Sequence, residues 1–304
     1  MRTVAIVGPT ASGKSALALE VAKHFDGELV NCDSVQVYKN FDIGSAKPTL
    51  DDLSVVPHHL IDVCAWDENF DAGYYANLAK DCIKDISSRG KLPIIVGGTG
   101  LYLRALLEDK FHSQLPKDDE LRKKLQLKSK DELIEELKAL DPVRCAEIHP
   151  NDRVRLERAM EICMISGRPV SQIFQEPVKK TETPFIVYLN PPKGILLDRI
   201  RERCRDMLKA GLVEEVANLI ESGVDSQCKP MQSIGYRQAN DLLQGNITED
   251  QLEEVIVIAT RQYAKKQRTW FRTFNVDMTL VGVDWYTNRE DVLRAISGYL
   301  EVKE

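Results

Sequence analysis

The chain has 304 residues, enough to bury one large hydrophobic core or two smaller ones. Its composition, 43% hydrophobic and 29% charged, excludes a low-complexity or disordered chain, and its net charge of −6 does not exclude a nucleic-acid partner. Seven scattered cysteines without a C-x-x-C pair argue against a disulfide framework and a zinc site. No apolar run reaches the roughly 18 residues that a membrane span requires. We therefore expect a cytoplasmic protein with no membrane partner.

The first hundred residues alternate between short apolar runs and amphipathic stretches. Thr3–Val7 predicts a buried strand, and Ser15–Phe25 follows a glycine-rich turn with apolar residues at helical spacing. The same patterns predict, in chain order, a strand at Glu28–Asn31, a weaker strand at Leu60–Val63, a helix at Ala72–Ile86 and a strand at Leu92–Val96. Strands that alternate with helices indicate a parallel sheet covered on both faces.

The pattern changes after about residue 110. Residues 111–183 indicate helices and no convincing buried strand, and their mixed charges at helical spacing are typical of solvated helix faces. Pro184–Leu189 then predicts another strand, and helices follow at about Leu196–Leu208, Leu212–Glu221 and Glu249–Arg272. The sequence thus predicts an α/β fold with a parallel sheet. Residues 1–110 and 184–304 form the two parts of its core, and residues 111–183 form a helical insertion.

A phosphate-binding loop is predicted between the first strand and the first helix. The sequence GPTASGKS at 8–15 matches G-x-x-x-x-G-K-[ST] in the required strand–loop–helix context. Glycines let the backbone wrap an anion, the helix N-terminus adds partial positive charge, and Lys14 adds a full charge. The Ser15 hydroxyl is suited to bind Mg²⁺. The predicted diphosphate- or nucleotide-binding residues are Gly8, Pro9, Thr10, Ala11, Ser12, Gly13, Lys14 and Ser15.

Two polar residues follow predicted strands at the same edge of the sheet. Because the carboxyl ends of parallel strands face the ligand crevice, Asp33 and Thr99 should open onto it. Asp33 is either a general base or a helix N-cap, and Thr99 either orients a substrate or bonds within its glycine turn. The pattern leaves these alternatives open. Leu92–Val96 ends without the acidic residue that hydrolytic sites use to hold Mg²⁺, which disfavours simple ATP hydrolysis.

Basic side chains form three clusters. They comprise Arg199, Arg201, Arg203, Arg205 and Lys209 on one predicted helix, Arg261, Lys265, Lys266, Arg268 and Arg272 on another, and Arg153, Arg155 and Arg158 in the insertion. Residues four apart share a helix face, so Arg199 and Arg203 point one way while Arg201 and Arg205 point another. A single basic helix is more often a solvated face, but three in an acidic protein indicate an anionic macromolecule as partner.

Taken together, these motifs resemble the bacterial tRNA dimethylallyltransferases, also called tRNA isopentenyltransferases. The most specific stretches are NCDSVQVYKNFDIGSAKP at 31–48 and PIIVGGTGLYLRALL at 93–107, with others at 8–15, 57–62, 141–162, 231–238 and 259–272. The resemblance runs from the first strand to about residue 285. A generic P-loop kinase would not share these stretches.

The resemblance implies an enzyme that moves a dimethylallyl group from dimethylallyl diphosphate to N6 of adenine 37 in tRNA, using Mg²⁺ and releasing diphosphate. It also implies a core similar to nucleotide kinases and an inserted helical domain that grips the anticodon stem-loop. By position, the implied catalytic residues are Asp33 as general base, Thr99 and Arg203, and Ser15 is the implied Mg²⁺ ligand. The implied tRNA contacts are Asp33, Ser34, Val35, Gln36, Arg122, Val154, Arg155, Leu156, Glu157, Arg158, Gln232, Ser233, Ile234, Gly235, Tyr236 and Arg237.

Two other functions remain open from the residues themselves. An ATP-dependent small-molecule kinase would explain residues 1–107 but gives the basic insertion no role. A non-catalytic RNA-binding ATPase module would explain the basic clusters, but not why Asp33 and Thr99 converge on the phosphate site. The expected oligomeric state is a monomer.

Overall fold

The computed structural model describes residues 2–108, 118–175, 183–282, 284 and 286–301. The chain divides into two compact units: a core unit, Met1–Leu107 with Glu182–Glu304, and a helical unit, Glu108–Thr181. The insertion predicted at 111–183 overlaps the helical unit, although residues 109–117 and 176–182 lie outside the described ranges. Within those ranges, every helix is too short or too polar to cross a lipid bilayer.

The core unit is built on a parallel sheet. Its strands are β1 (Val4–Val7), β2 (Gly27–Cys32), β3 (His58–His59), β4 (Leu92–Gly97), β5 (Phe185–Leu189) and β6 (Met278–Leu280). The order across the sheet is β3-β2-β4-β1-β5-β6, so β1 lies between β4 and β5, with Val4 opposite both Ile94 and Phe185. A strand paired on both sides and covered on both faces needs apolar side chains throughout, and β1 (VAIV) is fully buried.

Helices surround the sheet and make up the helical unit. In chain order they are α1 (Lys14–His24), α2 (Leu50–Val55), α3 (Ala72–Ser88), α4 (Gly100–Leu107), α5 (Asp119–Leu127), α6 (Lys130–Leu140), α7 (Pro142–Glu147), α8 (Arg153–Ser166), α9 (Val170–Ile173), α10 (Lys193–Lys209), α11 (Leu212–Glu221), α12 (Tyr236–Leu243), α13 (Glu249–Phe271) and α14 (Arg289–Glu301). A 3-10 turn at Tyr286–Asn288 precedes α14. The helical unit contains α5 to α9.

Successive strand residues face opposite sides of the sheet and enter two separate cores. Val4 and Ile6 pack in one core with residues of α1 and α14. Ala5 and Val7 belong to the larger core, which includes α3, α4 and α10 to α13. Burying each aliphatic side chain contributes roughly 1.5–3 kcal/mol, so both faces of the sheet are anchored. The prediction of a parallel α/β sheet covered on both faces is confirmed.

The weak strand predicted at Leu60–Val63 is wrong. The sheet uses His58–His59 instead, paired with Leu29 and Val30. Leu60 and Asp62 adopt left-handed conformations, with φ of +63° and +56°, and such residues end an extended strand. The short helices α2, α4 and α12 were not predicted, because six to eight residues give too few turns for a clear period.

The helical unit has a core of its own, made of side chains such as Leu125, Leu133 and Leu156. Its wholly buried Asp141 accepts the backbone amide of Arg144 at 2.9 Å, and the amide and hydroxyl of Ser171 at 2.7 and 2.8 Å. Burial acts to raise the pKa of Asp141, but these hydrogen bonds outweigh it and the pKa is lowered. The ionised carboxylate therefore fastens α7 to α9.

Candidate active site

The phosphate loop folds tightly between β1 and α1. A Cβ added at Gly8 would lie 2.7 Å from the Leu189 carbonyl oxygen and 2.8 Å from Ser12 Oγ. Both distances are shorter than a Cβ atom tolerates, so only glycine fits here. Gly13 has φ of +91° directly before α1, a conformation that glycine adopts without strain. The two glycines let the chain turn here, so that the positive N-terminus of α1 adjoins the loop.

Two cations line the cleft at this loop: Lys14, which belongs to the loop, and Arg203 of α10. Burial, followed by repulsion from Arg203, lowers the pKa of Lys14 to about 8, while the negative charge of Asp33 opposes the shift. Burial also lowers the pKa of Arg203, again against the attraction of Asp33. Among the described residues, neither cation forms an ion pair with a carboxylate, and Lys14 donates only to the Pro9 carbonyl at 3.3 Å. An entering anion would therefore stabilise both charges.

The other basic residues of α10 divide between two faces. Arg199 donates to a carbonyl oxygen of the phosphate loop at 3.5 Å. Arg201 and Arg205 instead pair with carboxylates of α13, Glu254 at 3.8 Å and Glu253 at 3.0 Å. The first face therefore adjoins the phosphate loop, whereas the second makes half-exposed ion pairs that contribute little to stability.

Asp33 follows β2 and closes a turn with one carboxylate oxygen. Its Oδ1 accepts the backbone amides of Val35 at 2.8 Å and Gln36 at 3.3 Å. Within the described ranges the carboxylate accepts no further hydrogen bond, and the side chain lines the same cleft as Lys14. No helix begins after Asp33 in the described structure, so the helix N-cap alternative is wrong. Its Oδ1 caps a turn instead, and this turn-capping role is compatible with a catalytic role.

Thr99 follows β4 and connects it to the end of β2. Its Oγ1 accepts the Ser34 amide at 3.0 Å, and its own amide donates to the Cys32 carbonyl at 3.1 Å. Thr99 is not among the described residues that line the cleft, whereas Ser34 is. The Thr99 hydroxyl therefore lies one contact behind the cleft wall.

A cleft of about 410 Å³ lies beside the phosphate loop. The predicted site residues that line it are Thr10, Lys14, Ser15, Asp33, Ser34, Val35, Gln36, Arg203, Gln232, Ser233, Ile234 and Gly235. Tyr236 and Arg237 do not line it, since Tyr236 is fully buried and Arg237 points to solvent. Apolar side chains such as Leu29, Ile200 and Ile256 also form its walls. Two cations among apolar walls suit a ligand with a charged head and a hydrocarbon tail.

Two residues of α13 that were not predicted as site residues line the cleft. The buried side chain of Gln267 accepts the Thr10 amide at 2.8 Å and donates to the Gly98 carbonyl at 2.8 Å. Tyr263, one turn earlier, lines the same cleft, and burial raises the pKa of its hydroxyl. Both lie in a stretch whose arginines and lysines dominate its pattern. The available signal was their i, i+4 spacing, which places two polar side chains on one face of the helix.

In the helical unit, two predicted tRNA contacts pair with a carboxylate. Arg122 and Arg158 both form ion pairs with Glu161, which is 1% exposed; the Arg122 Nε lies 2.8 Å from its Oε1. Glu161 also accepts the backbone amide of Asp118 at 2.9 Å. The two arginines therefore stabilise this unit whether or not they contact a ligand.

The other predicted contacts in this unit, Val154–Glu157, differ in exposure. Leu156 is completely buried, so its side chain cannot contact a nucleic acid, and Glu157 pairs with Arg153 at 2.6 Å. Val154 is 76% exposed, and Arg155 is exposed beside Asp152. Of the predicted tRNA contacts in this stretch, only Val154 and Arg155 therefore have exposed side chains.

Comparison with known proteins identifies the family of this chain. A sequence model of the family described as IPP transferase matches residues 36–274. The chain belongs to the IPP transferase family. The resemblance that the motifs indicated is thereby confirmed, and so is the expectation of a prenyl-transferring enzyme.

Relatives of this IPP transferase match along nearly its whole length. A protein named tRNA dimethylallyltransferase from Thermoanaerobacter sp. (strain X514) is 40% identical, and the match covers 100% of this chain and 98% of the relative. A protein of the same name from Solibacter usitatus (strain Ellin6076) is 44% identical, and the match covers 90% of both chains. The full-length tRNA isopentenylpyrophosphate transferase of Bacillus halodurans superimposes with a TM-score of 0.74 at 34% identity, covering 99% of this chain and 97% of that one. A eukaryotic dimethylallyltransferase acting on tRNA gives 0.85 at 29% identity, covering 98% and 78%. The predicted fold class is confirmed.

The cleft of this IPP transferase offers Ser15 as a ligand for a metal ion. The described residues contain no group of three or more histidine, cysteine or carboxylate side chains able to hold a metal ion. Ser15 is exposed at the start of α1 and lines the cleft. Mg²⁺ usually keeps several waters and binds through one or two protein ligands plus substrate phosphates. The residues present fit such a shared site.

Proposed function

We propose that this chain transfers a dimethylallyl group from dimethylallyl diphosphate to N6 of adenine 37 in tRNA and releases diphosphate. The observation that carries the proposal is one cleft that holds Lys14 and Arg203, two cations without carboxylate partners among the described residues, together with Asp33. Such cations attract a diphosphate, and a carboxylate is suited to remove a proton from a nucleophile. Relatives of the chain are named tRNA dimethylallyltransferase.

The proposed reaction needs a base because the exocyclic amine of adenine is a poor nucleophile, its lone pair being delocalised into the ring. That lone pair forms a bond from N6 to C1 of the dimethylallyl group. The C1–O bond breaks, and its electron pair leaves with the diphosphate. Asp33 accepts the proton that N6 sheds. General-base assistance of this kind is typically worth about 10²–10⁴ in rate.

Negative charge grows on the departing diphosphate, and the phosphate loop stabilises it. Lys14, Arg203 and the amides at the start of α1 supply positive charge in a partly desolvated site, where it acts strongly. Ser15 would hold Mg²⁺ when the ion is bound, and the ion would supply further positive charge to the leaving group. This role explains a phosphate loop without a hydrolytic acid, because the phosphates leave and no water is activated.

We place the tRNA contacts of the core unit at Asp33–Gln36 and Gln232–Gly235, which line the cleft. The helical unit is proposed to grip the anticodon stem-loop, with exposed Val154 and Arg155 on its surface. Unstacking the adenine costs a few kcal/mol, and contacts to the stem-loop would offset that cost. We propose a cytoplasmic monomer as the active form.

The reaction is tested with unmodified tRNA and either labelled dimethylallyl diphosphate or labelled ATP. We expect label to reach tRNA only from the prenyl donor, and chelation of Mg²⁺ to suppress transfer. ATP turnover without prenyl transfer would instead favour a kinase or an RNA-binding ATPase.

The base is tested by two substitutions that separate proton transfer from capping. Asp33→Asn keeps an oxygen able to accept the amides of Val35 and Gln36, but it cannot take the proton. We expect its single-turnover rate to fall by about 10²–10⁴ while tRNA binding stays largely intact. Asp33→Ala loses both functions and should also be less stable. A wild-type rate in Asp33→Asn would leave Asp33 with the capping role only.

A further inference from the structure

Glu215, in the first turn of α11, connects two segments of the core unit. Its Oε2 accepts the backbone amides of Ile43 at 2.8 Å and Asp42 at 3.3 Å. Its Oε1 accepts the hydroxyl of Tyr236, the first residue of α12, at 2.5 Å. The N-terminus of α11 favours negative charge at this position. One carboxylate thus joins the segment that begins at Asp42 to the start of α12.

Packing of Tyr236 fixes the same connection. A Cβ added at Gly44 would lie 2.4 Å from Tyr236 Cε2, so the ring rests directly on the Gly44 backbone. The Phe41 ring lies 5.0 Å away, centroid to centroid, and Tyr236 is fully buried. Burial, and then the charge of Glu215, raises the pKa of the Tyr236 hydroxyl, which therefore stays protonated and donates to the carboxylate.

Both connected segments continue into the wall of the cleft. Gly44–Pro48 lines it on one segment, and Gln232–Gly235, immediately before Tyr236, lines it on the other. The side-chain amide of Gln36 donates to the carbonyls of Ser45 at 3.1 Å and Ala46 at 2.9 Å. These bonds connect the first segment to the turn at Asp33. We call residues 42–48 and 232–235 the acceptor wall. Glu215 itself is not among the described residues that line the cleft.

We infer that Glu215 is a positioning residue for the acceptor: it holds the acceptor wall in the shape that admits the tRNA nucleobase, without touching it. The inference rests on the proposed function, because the wall includes residues proposed there to contact tRNA. Lys14 and Arg203, which serve the diphosphate, form no hydrogen bond or ion pair with Glu215 in the described structure. A change at Glu215 should therefore affect the acceptor and leave the donor unaffected.

The test measures Michaelis constants for both substrates in Glu215→Ala. Losing charged hydrogen bonds to two segments should raise KM for tRNA about tenfold or more. KM for dimethylallyl diphosphate and Kd for inorganic diphosphate should stay within about twofold. Glu215→Gln, which can still accept one amide and reach Tyr236, should recover part of the loss. Glu214→Ala, an exposed carboxylate on the same helix, is the matched control and should behave as wild type.

Tyr236→Phe provides a second variant if Glu215→Ala does not fold. It keeps the packing on Gly44 and removes one donor, so KM for tRNA should rise about threefold with KM for the donor unchanged. Equal changes in both Michaelis constants, or none, would overturn the inference and leave the proposed function intact. A wild-type enzyme that transfers no label to tRNA would overturn both.

Discussion

Basic side chains are partly buried in both units, but their charges are compensated differently. In the helical unit, Arg122 and Arg158 share the carboxylate of Glu161. In the core unit, Lys14 and Arg203 have no carboxylate partner in the described structure, and burial lowers their pKa values. A paired cation has its buried charge compensated within the fold, whereas an unpaired one costs stability that an anionic ligand restores. A buried basic residue therefore points to function where its protein partner is missing.

Arg153 is another basic side chain of the helical unit that has its partners within the protein. Its Nη2 donates to the carbonyls of Leu125, Gln126 and Lys128, at distances from 2.8 to 3.3 Å, and its Nε pairs with Glu157. These carbonyls lie in the last turn of α5 and directly after it, where a helix leaves carbonyls unpaired; of the three, the Leu125 carbonyl also accepts the Lys128 amide at 3.1 Å. An arginine that the sequence placed in a basic cluster thus serves as a helix cap.

The largest effect is expected for Lys14→Met, which should change activity and stability in opposite directions. The folded pKa of about 8 lies below the ordinary 10.5, so the fold disfavours the charged form at pH 7. Removing the charge should stabilise the ligand-free protein by roughly 1–3 kcal/mol. Transfer should fall about 10³-fold, because the leaving group loses a cation. Thermal denaturation and single-turnover rates measure the two effects.

Arg205→Gln is the matched control for that comparison, since it removes a half-exposed cation from α10. Its unfolding free energy should change by no more than about 0.5 kcal/mol, and its transfer rate should be normal. A less stable Lys14→Met protein would contradict the inference that the unpaired charge of Lys14 destabilises the ligand-free protein.

Glu161→Gln should show the opposite sign of stability change. Arg122 and Arg158 would lose their shared negative charge, and the unfolding free energy should fall by roughly 2–4 kcal/mol in chemical denaturation. Glu147→Gln is the control, because Glu147 is 58% exposed and pairs with Arg144 on the surface. Equal destabilisation of the two variants would remove the distinction between buried and surface charge pairs in this unit.

The smallest effect is a pH dependence of diphosphate binding. A bound anion raises the pKa of Lys14 above its ligand-free value of about 8, so binding at higher pH requires uptake of a proton. Affinity measured by calorimetry should be constant below pH 8 as far as Lys14 is concerned. Above it, affinity should fall by up to about tenfold per pH unit. Lys14→Arg, which stays charged, should remove this component and leave only the ligand's own titration.

The fold was predictable where local patterns are strong. VAIV before a glycine loop, and apolar spacing after it, indicate β1 and α1 without any tertiary information. The two-residue strand β3 was misplaced, because left-handed conformations at Leu60 and Asp62 leave no periodic trace. In the helical unit, charge patterns indicated helices but not that Glu161 would be buried among arginines.

The site was predictable where topology alone decides position. Asp33 and Thr99 follow strands that pair in parallel, so the sheet brings both to one edge, although of the two only Asp33 lines the cleft. Gln267 and Glu215 were missed because long-range packing creates their contacts: Gln267 binds an amide 257 positions away, and Glu215 one 172 positions away. The spacing of Tyr263 and Gln267 indicates a shared helix face, but no local pattern encodes the distant partner of either Gln267 or Glu215.

Gln267 touches the phosphate loop and the turn after β4 with the same amide group. Evolution therefore cannot adjust one half of this site at position 267 without disturbing the other. Changes in substrate preference among related enzymes should therefore arise at cleft-lining positions that do not connect the phosphate loop to the turn after β4. Met207 and Ile256 are two such positions. A library randomised at those two positions should yield altered prenyl-chain preference far more readily than one randomised at Gln267.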